Sequence, residues 1–92
     1  MDDAFDRDWR PKRETNVLIE EVDGETVVLD VGEERIHQLN PTASFVLGLC
    51  DGERPVATIL KALLEAFEVS EDVAARDLEA ILVKMKALGI LT

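Results

Sequence analysis

Few side chains in this chain could do chemistry. His37 is its only histidine and Cys50 its only cysteine. A thiol beside an imidazole can form a nucleophile–base pair, so these two come first. Cys50 lies on one helical stripe with Ala43, Val46 and Leu47, where a cysteine behaves as a small hydrophobe. His37 sits in the alternating run Arg35-Ile36-His37-Gln38-Leu39, with no serine or cysteine nucleophile implied beside it. It reads as a surface or partner contact on a strand. The acids Glu20, Glu21, Asp23, Glu25, Asp30, Glu33 and Glu34 could suggest a cation site. Their spacing matches no calcium loop, and strand alternation sends neighbours to opposite faces, so a solvated charged sheet is expected. A single cysteine allows no intrachain disulfide, and no Cys/His cluster is present for a metal. The five glycines are scattered and form no phosphate-binding loop. The expectation is a binding module: no catalytic residues, no metal, no cofactor, not an enzyme.

The elements that must carry such a module are legible from period and punctuation. Val17-Leu18-Ile19 and Thr26-Val27-Val28-Leu29 are short β-branched runs joined through Val22-Asp23-Gly24-Glu25, and Asp-Gly suits a tight hairpin. Gly32 marks a second turn, and the run ending at Leu39 supplies a third strand. The period then changes. Asn40-Pro41 opens a helix, with Asn as cap and Pro at the first helical position, and Asp51-Gly52 ends it. A second helix is expected from about Pro55 to Phe67, with a stripe of Val56, Ile59, Leu60, Leu63 and Phe67. A third starts after Ser70, with Glu71 and Asp72 at the positive end of its dipole. Its stripe is Ala74, Leu78, Ile81, Leu82, Met85 and Leu88. Gly89 stops it, and Ile90-Leu91 can fold back onto the core. The fold class is α+β: a three-stranded antiparallel sheet followed by three helices (βββααα), winged-helix-like.

Residues 1–15 carry nine charged residues without periodicity and read as a flexible N-terminal arm, with the domain proper at 16–92. Trp9-Arg10-Pro11 is placed to pin the arm's end to the domain. The formal charge is −10, and the acid concentrates at residues 17–38, where seven carboxylates face one arginine. Such a surface repels phosphate backbones, so nucleic acid is an unexpected partner. No segment reaches the ~20 apolar residues of a membrane span, and no signal-peptide pattern opens the chain. The simplest compartment is a reducing cytoplasm.

Leu39-Asn40-Pro41-Thr42-Ala43, followed by Leu49-Cys50-Asp51-Gly52-Glu53-Arg54, resembles the PqqD-like family, also called the recognition element for precursors of ribosomally synthesised, modified peptides. The family pattern is a Leu-Asn-x-Thr-Ala helix start, a Leu-Cys-Asp-Gly helix end, and a third helix closing in Leu-x-x-x-Gly-Leu/Ile-Leu. Here that close reads Met85-Lys86-Ala87-Leu88-Gly89-Ile90-Leu91, and Arg76-Asp77-Leu78 also matches. The resemblance covers roughly residues 10–91. It implies a peptide chaperone without catalytic residues. The leader segment of a precursor peptide would add as a fourth strand to the third strand, in a cleft against the third helix, and be presented to a radical SAM or cyclase-type enzyme. The physics is β-augmentation, in which unpaired backbone groups on an edge strand pair with an extended peptide.

Carried onto this chain, the implied edge is Glu34, Arg35, Ile36, His37 and Gln38. The cleft wall is one flank of the third helix: Val73, Asp77, Ala80, Ile81 and Lys84. Two departures stand out. Pro55 replaces a capping Thr, and Asp30-Val31-Gly32-Glu33 lacks the Pro-Glu of PqqD proper. The second points to a stand-alone relative from another peptide-modification cluster, with pyrroloquinoline quinone synthesis as the alternative. A winged-helix DNA-binding regulator is a further alternative, opposed by the third helix's excess of acid. An exposed edge also allows a homodimer.

Overall fold

The computed structural model describes residues 6–23 and 25–92. Three strands, β1 (Val17–Val22), β2 (Glu25–Asp30) and β3 (Arg35–Leu39), precede three helices, α1 (Pro41–Leu49), α2 (Val56–Ala66) and α3 (Glu71–Ala87). The sheet is an antiparallel meander in the order β1-β2-β3, as expected from the run and turn pattern. Its register pairs Val22 with Glu25 across the first hairpin, where Asp23 has a φ of +53°. Gly24, the other residue proposed for that turn, lies outside the described residues.

Alternation decides which face the helices cover. Thr26, Val28 and Asp30 are buried, whereas Glu25 is exposed and Val27 and Leu29 are only half-buried. Residues directly opposite one another share a face, so Ile19 and His37 lie on the covered side with Val28, and Leu39 lies there with Thr26. The other face is open, and carries the row Leu18, Leu29, Ile36.

The helices form where their stripes predict. Asn40 Oδ1 accepts the Ala43 N–H at 2.7 Å, and Pro41 follows as the first helical residue. Ala43, Val46, Leu47 and Cys50 are buried together. Val56, Ile59, Leu60 and Leu63 bury the inner face of α2, and Phe67 meets Phe45 edge-on at 5.5 Å. Ser70 caps α3, whose buried face is Ala74, Leu78, Leu82 and Met85. Leu78 and Leu82 are at most 1% exposed, and each is worth ~1.5–3 kcal/mol of burial. The end of α3 is a double hydrogen-bonded stop. Ile90 N–H donates to Met85 C=O and Gly89 N–H to Lys86 C=O, with Gly89 at φ +80°. The chain then turns back, burying Ile90 and Leu91 in the core.

Pro55 corrects the sequence reading in one respect. It is the residue before α2 rather than its first helical residue, and it gives the helix no side-chain cap. The caps come from the N-terminal segment instead. Val56 N–H donates to the Trp9 carbonyl at 2.8 Å, and Ala57 N–H to that of Arg7 at 3.1 Å. Further along, Gly52 N–H donates to Pro11 C=O, Thr92 N–H to Lys12 C=O, and Glu14 N–H to Ile90 C=O. Pro11 is fully buried, and Lys86 Nζ sits 5.2 Å from the centre of the Trp9 ring. From Arg7 to Glu14, therefore, the segment read as an arm is a strap across the α1–α2 junction and the C-terminus. Trp9 packs onto the domain.

Candidate functional site

β2 is paired on both sides, so among the described residues the sheet has two lateral edges, β1 and β3. β3 packs on α1, but no Cα of β3 comes within 8 Å of one in α3. The two elements stand apart, and the space between them is a cleft of about 330 Å³. Ile36, His37, Gln38, Leu39 and Asn40 form one bank; Ile81, Lys84, Met85 and Leu88 form the other; Ala43 of α1 closes the floor. Strands pair at ~4.8 Å, so a strand added to the free edge of β3 would run along this cleft.

The local sequence explains each bank. Asn40-Pro41 starts α1 immediately after β3, which pins the C-terminal end of the strand to the helix beneath it. On α3, positions 77, 81, 84 and 88 fall on one stripe, because residues three and four apart share a helical face. Ile81 and Leu88 are half-buried, and Met85 is 3% exposed. The floor is thus apolar. Lys84 is the one cation lining the cleft, and no ion pair or side-chain hydrogen bond engages its ammonium among the described residues.

Of the residues singled out from sequence, Ile36, His37, Gln38, Ile81 and Lys84 are brought together here. By alternation the side chains of Ile36 and Gln38 belong to the open face, and they border the cleft from the strand's rim. Gln38 Nε2 donates to Glu25 Oε1 on that face. Arg35 is in β3 but does not line the cleft. Glu34 is not an edge residue: β3 begins at Arg35, and Glu34 is the last residue of the turn, with φ +55°. That turn is organised by Asp30, whose Oδ1 accepts from Glu33 N–H and from Asn16 Nδ2. Val73, Asp77 and Ala80 are exposed on α3, nearer its N-terminus than the residues that line the cleft.

Five lining residues were not singled out as binding residues: Leu39, Asn40, Ala43, Met85 and Leu88. Leu39 and Leu88 were recoverable by continuing the alternation two residues past His37 and the stripe four residues past Lys84. Asn40, Ala43 and Met85 were read as cap and core, which they are. Their second role follows only from the tertiary gap.

The remaining reactive groups lie elsewhere. Cys50 is completely buried; its thiol donates to the Val46 carbonyl at 3.3 Å, and burial pushes its pKa up to about 12. It does not border the cleft that holds His37, so the two make no dyad there. Asp51 accepts from the N–H groups of Glu53 and Arg54 and pairs with the Arg54 guanidinium at 2.7 Å. These contacts, the Glu53 amide foremost, hold its carboxyl below the ordinary value. Asp51 is thereby the organiser of the α1–α2 turn. Among the described residues no group of three or more His, Cys, Asp or Glu side chains is placed to hold a metal ion. No helix among them is long and apolar enough to cross a membrane.

Two solved structures share this architecture. One, described as TbiB1 in complex with the TbiA(beta) leader peptide, superposes with a TM-score of 0.79 at 21% identity, covering 87% of this chain and 93% of that one. The other, a lasso peptide synthetase B1 complexed with the leader peptide, gives a TM-score of 0.81 at 23% identity, covering 90% and 98%. At these identities the likeness establishes the fold. Comparison with curated proteins gave no match. The family model for coenzyme PQQ synthesis protein D matches residues 25–91, from the start of β2 through the cleft to the buried Ile90-Leu91, and the chain therefore belongs to the PqqD family.

Proposed function

We propose that this chain is a non-catalytic peptide chaperone. It binds the leader segment of a ribosomally synthesised precursor peptide as a fourth strand on β3 and presents it to a modifying enzyme. The observation that carries this reading is the gap between the unpaired edge of β3 and α3, floored by Leu39, Ala43, Met85 and Leu88. An extended peptide there would satisfy the free backbone groups of β3, while its alternate side chains reach the apolar floor or solvent. Membership of the PqqD family supports the reading, as does the shared fold of two proteins whose structures contain leader peptides.

Residues 35–38 on the strand and Ile81 and Lys84 on the helix make the contacts; Val73, Asp77 and Ala80 extend the helix flank for a longer guest. The partner enzyme is of the radical SAM or cyclase type, the compartment is the cytoplasm, and the chain brings no cofactor of its own. A second copy pairing along the same edge is the competing occupant. Isothermal titration of the chain with its precursor peptide, the leader alone and the leaderless core tests the reading. The leader alone is expected to bind as tightly as the full precursor, at nanomolar to micromolar Kd, and the core not at all. Equal affinity for leader and core would refute it.

A further inference from the structure

His37 holds an unsatisfied buried group on the strand bank of the cleft. Its register with Val28, which has no exposed surface, puts the imidazole on the helix-covered side of the sheet. It borders the cleft, yet its Nε2 is shielded from solvent and has no hydrogen-bond partner among the described residues. A buried polar atom left unpaired costs ~1–3 kcal/mol, and folded proteins seldom leave one without a reason. The neighbours supply little. Asn40 Oδ1 is spent on the Ala43 amide, and the Gln38 amide bonds Glu25 on the open face. Leu39, Ala43, Ile81, Met85 and Leu88 have no side-chain nitrogen or oxygen, which leaves the Lys84 ammonium as the alternative donor.

We infer that His37 is a specificity-determining residue: its Nε2 is completed by a hydrogen-bonding side chain of the guest strand. This deepens the proposed function and rests on it. On a strand laid along β3, every second side chain enters the cleft, on the same side as His37 and Leu39. A turn of the imidazole about its soft terminal torsion opens Nε2 to the cleft, where the guest residue level with His37 meets it; the one two positions along, level with Leu39, meets the apolar floor. Hydroxyl and amide side chains both donate and accept, so they fit either imidazole tautomer. The preferred guest is an extended peptide with Ser, Thr, Asn or Gln two residues from a large apolar residue.

The test is selection of a displayed library of random dodecapeptides on the full chain, with binders mapped by backbone amide shifts. Binders that shift residues 35–39 are expected to share the polar/apolar pair at two-residue spacing. His37→Phe keeps a flat ring of similar size, and should weaken them ~10-fold, whereas His37→Gln stays within ~3-fold. Replacing the polar peptide residue with Ala should weaken binding to the natural chain and change little on His37→Phe, the signature of a direct pair. That peptide-side arm needs only the natural chain if His37→Phe fails to fold. Peptides that bind the β3 edge with no polar preference, or equally well to His37→Phe, would overturn the inference and leave the proposed function standing. Loss on Lys84→Met equal to that on His37→Phe would assign Nε2 to Lys84 and overturn it too. A library yielding no binder at the β3 edge would sink both.

Discussion

Asn40 does two things at one position, and its substitution separates them. Its Oδ1 accepts the Ala43 N–H at 2.7 Å, and the residue itself borders the cleft. Pro41 has no N–H, so the open amides of the first turn reduce to those of Thr42 and Ala43, and the cap takes the second. Ala43 is 8% exposed, so water is poorly placed to replace the lost oxygen. Asn40→Ala should therefore cost toward the upper part of the usual cap range, about 1.5 kcal/mol. For a domain of this size that lowers Tm by ~6–12 °C. Asn40→Asp keeps the acceptor and adds a negative charge at the positive end of the α1 dipole, and should lie within ~0.5 kcal/mol of the parent. Urea unfolding followed by far-UV circular dichroism reads all three proteins. An unchanged midpoint for Asn40→Ala would refute the cap. Equal losses for Ala and Asp would show that the Nδ2 group, and not the acceptor oxygen, is what matters.

Other consequences follow from the α1–α2 turn. Gly52 has φ +84°, and an added Cβ would stand 3.0 Å from Lys12 Cδ, so Gly52→Ala should cost ~1–2 kcal/mol for the left-handed backbone. Most of that loss should persist beside Lys12→Ala, and a full rescue would mean that contact, not φ, was the cause. Cys50, buried and with its pKa raised to about 12, should resist iodoacetamide at pH 8 until the chain unfolds; rapid native labelling would contradict this. Asp51 has a depressed folded pKa, so its charge stabilises the fold above the ordinary value of 3.8, and that contribution disappears as pH falls through the folded value. Asp51→Asn should be less stable than the parent at pH 7, with the gap closing below pH 3.8. A gap independent of pH would remove the charge from the explanation.

The helices were legible because their apolar stripes and caps agree. Ala43, Val46, Leu47 and Cys50 recur at helical spacing and are buried as one face, and Ser70 and Gly89 bound α3 where their conformational preferences require. The meander was legible from its short β-branched runs and the turn residues between them. What escaped depended on tertiary geometry. The turn before β3 is closed by Asp30 across three residues, which draws Glu34 out of the strand. The strap escaped because residues 7–14 have no period at all. They are held through backbone groups that cap α2 and pair with the C-terminus, a role in which side-chain identity leaves almost no trace beyond Pro11 and Trp9. The cleft was half legible. Its strand bank followed from alternation and family resemblance, but Met85, on the helix bank, could be told from core only once the separation of β3 and α3 was known.

On the proposed reading, a peptide adds to the sheet at the edge of β3 facing α3. Both β1 and β3 are edge strands, so amide hydrogen exchange on each, with and without the precursor's leader peptide, decides between them. Added protection is expected at residues 35–39, with the amides of residues 17–22 unchanged. Protection confined to residues 17–22, or a leader that binds without slowing exchange on either strand, would contradict it.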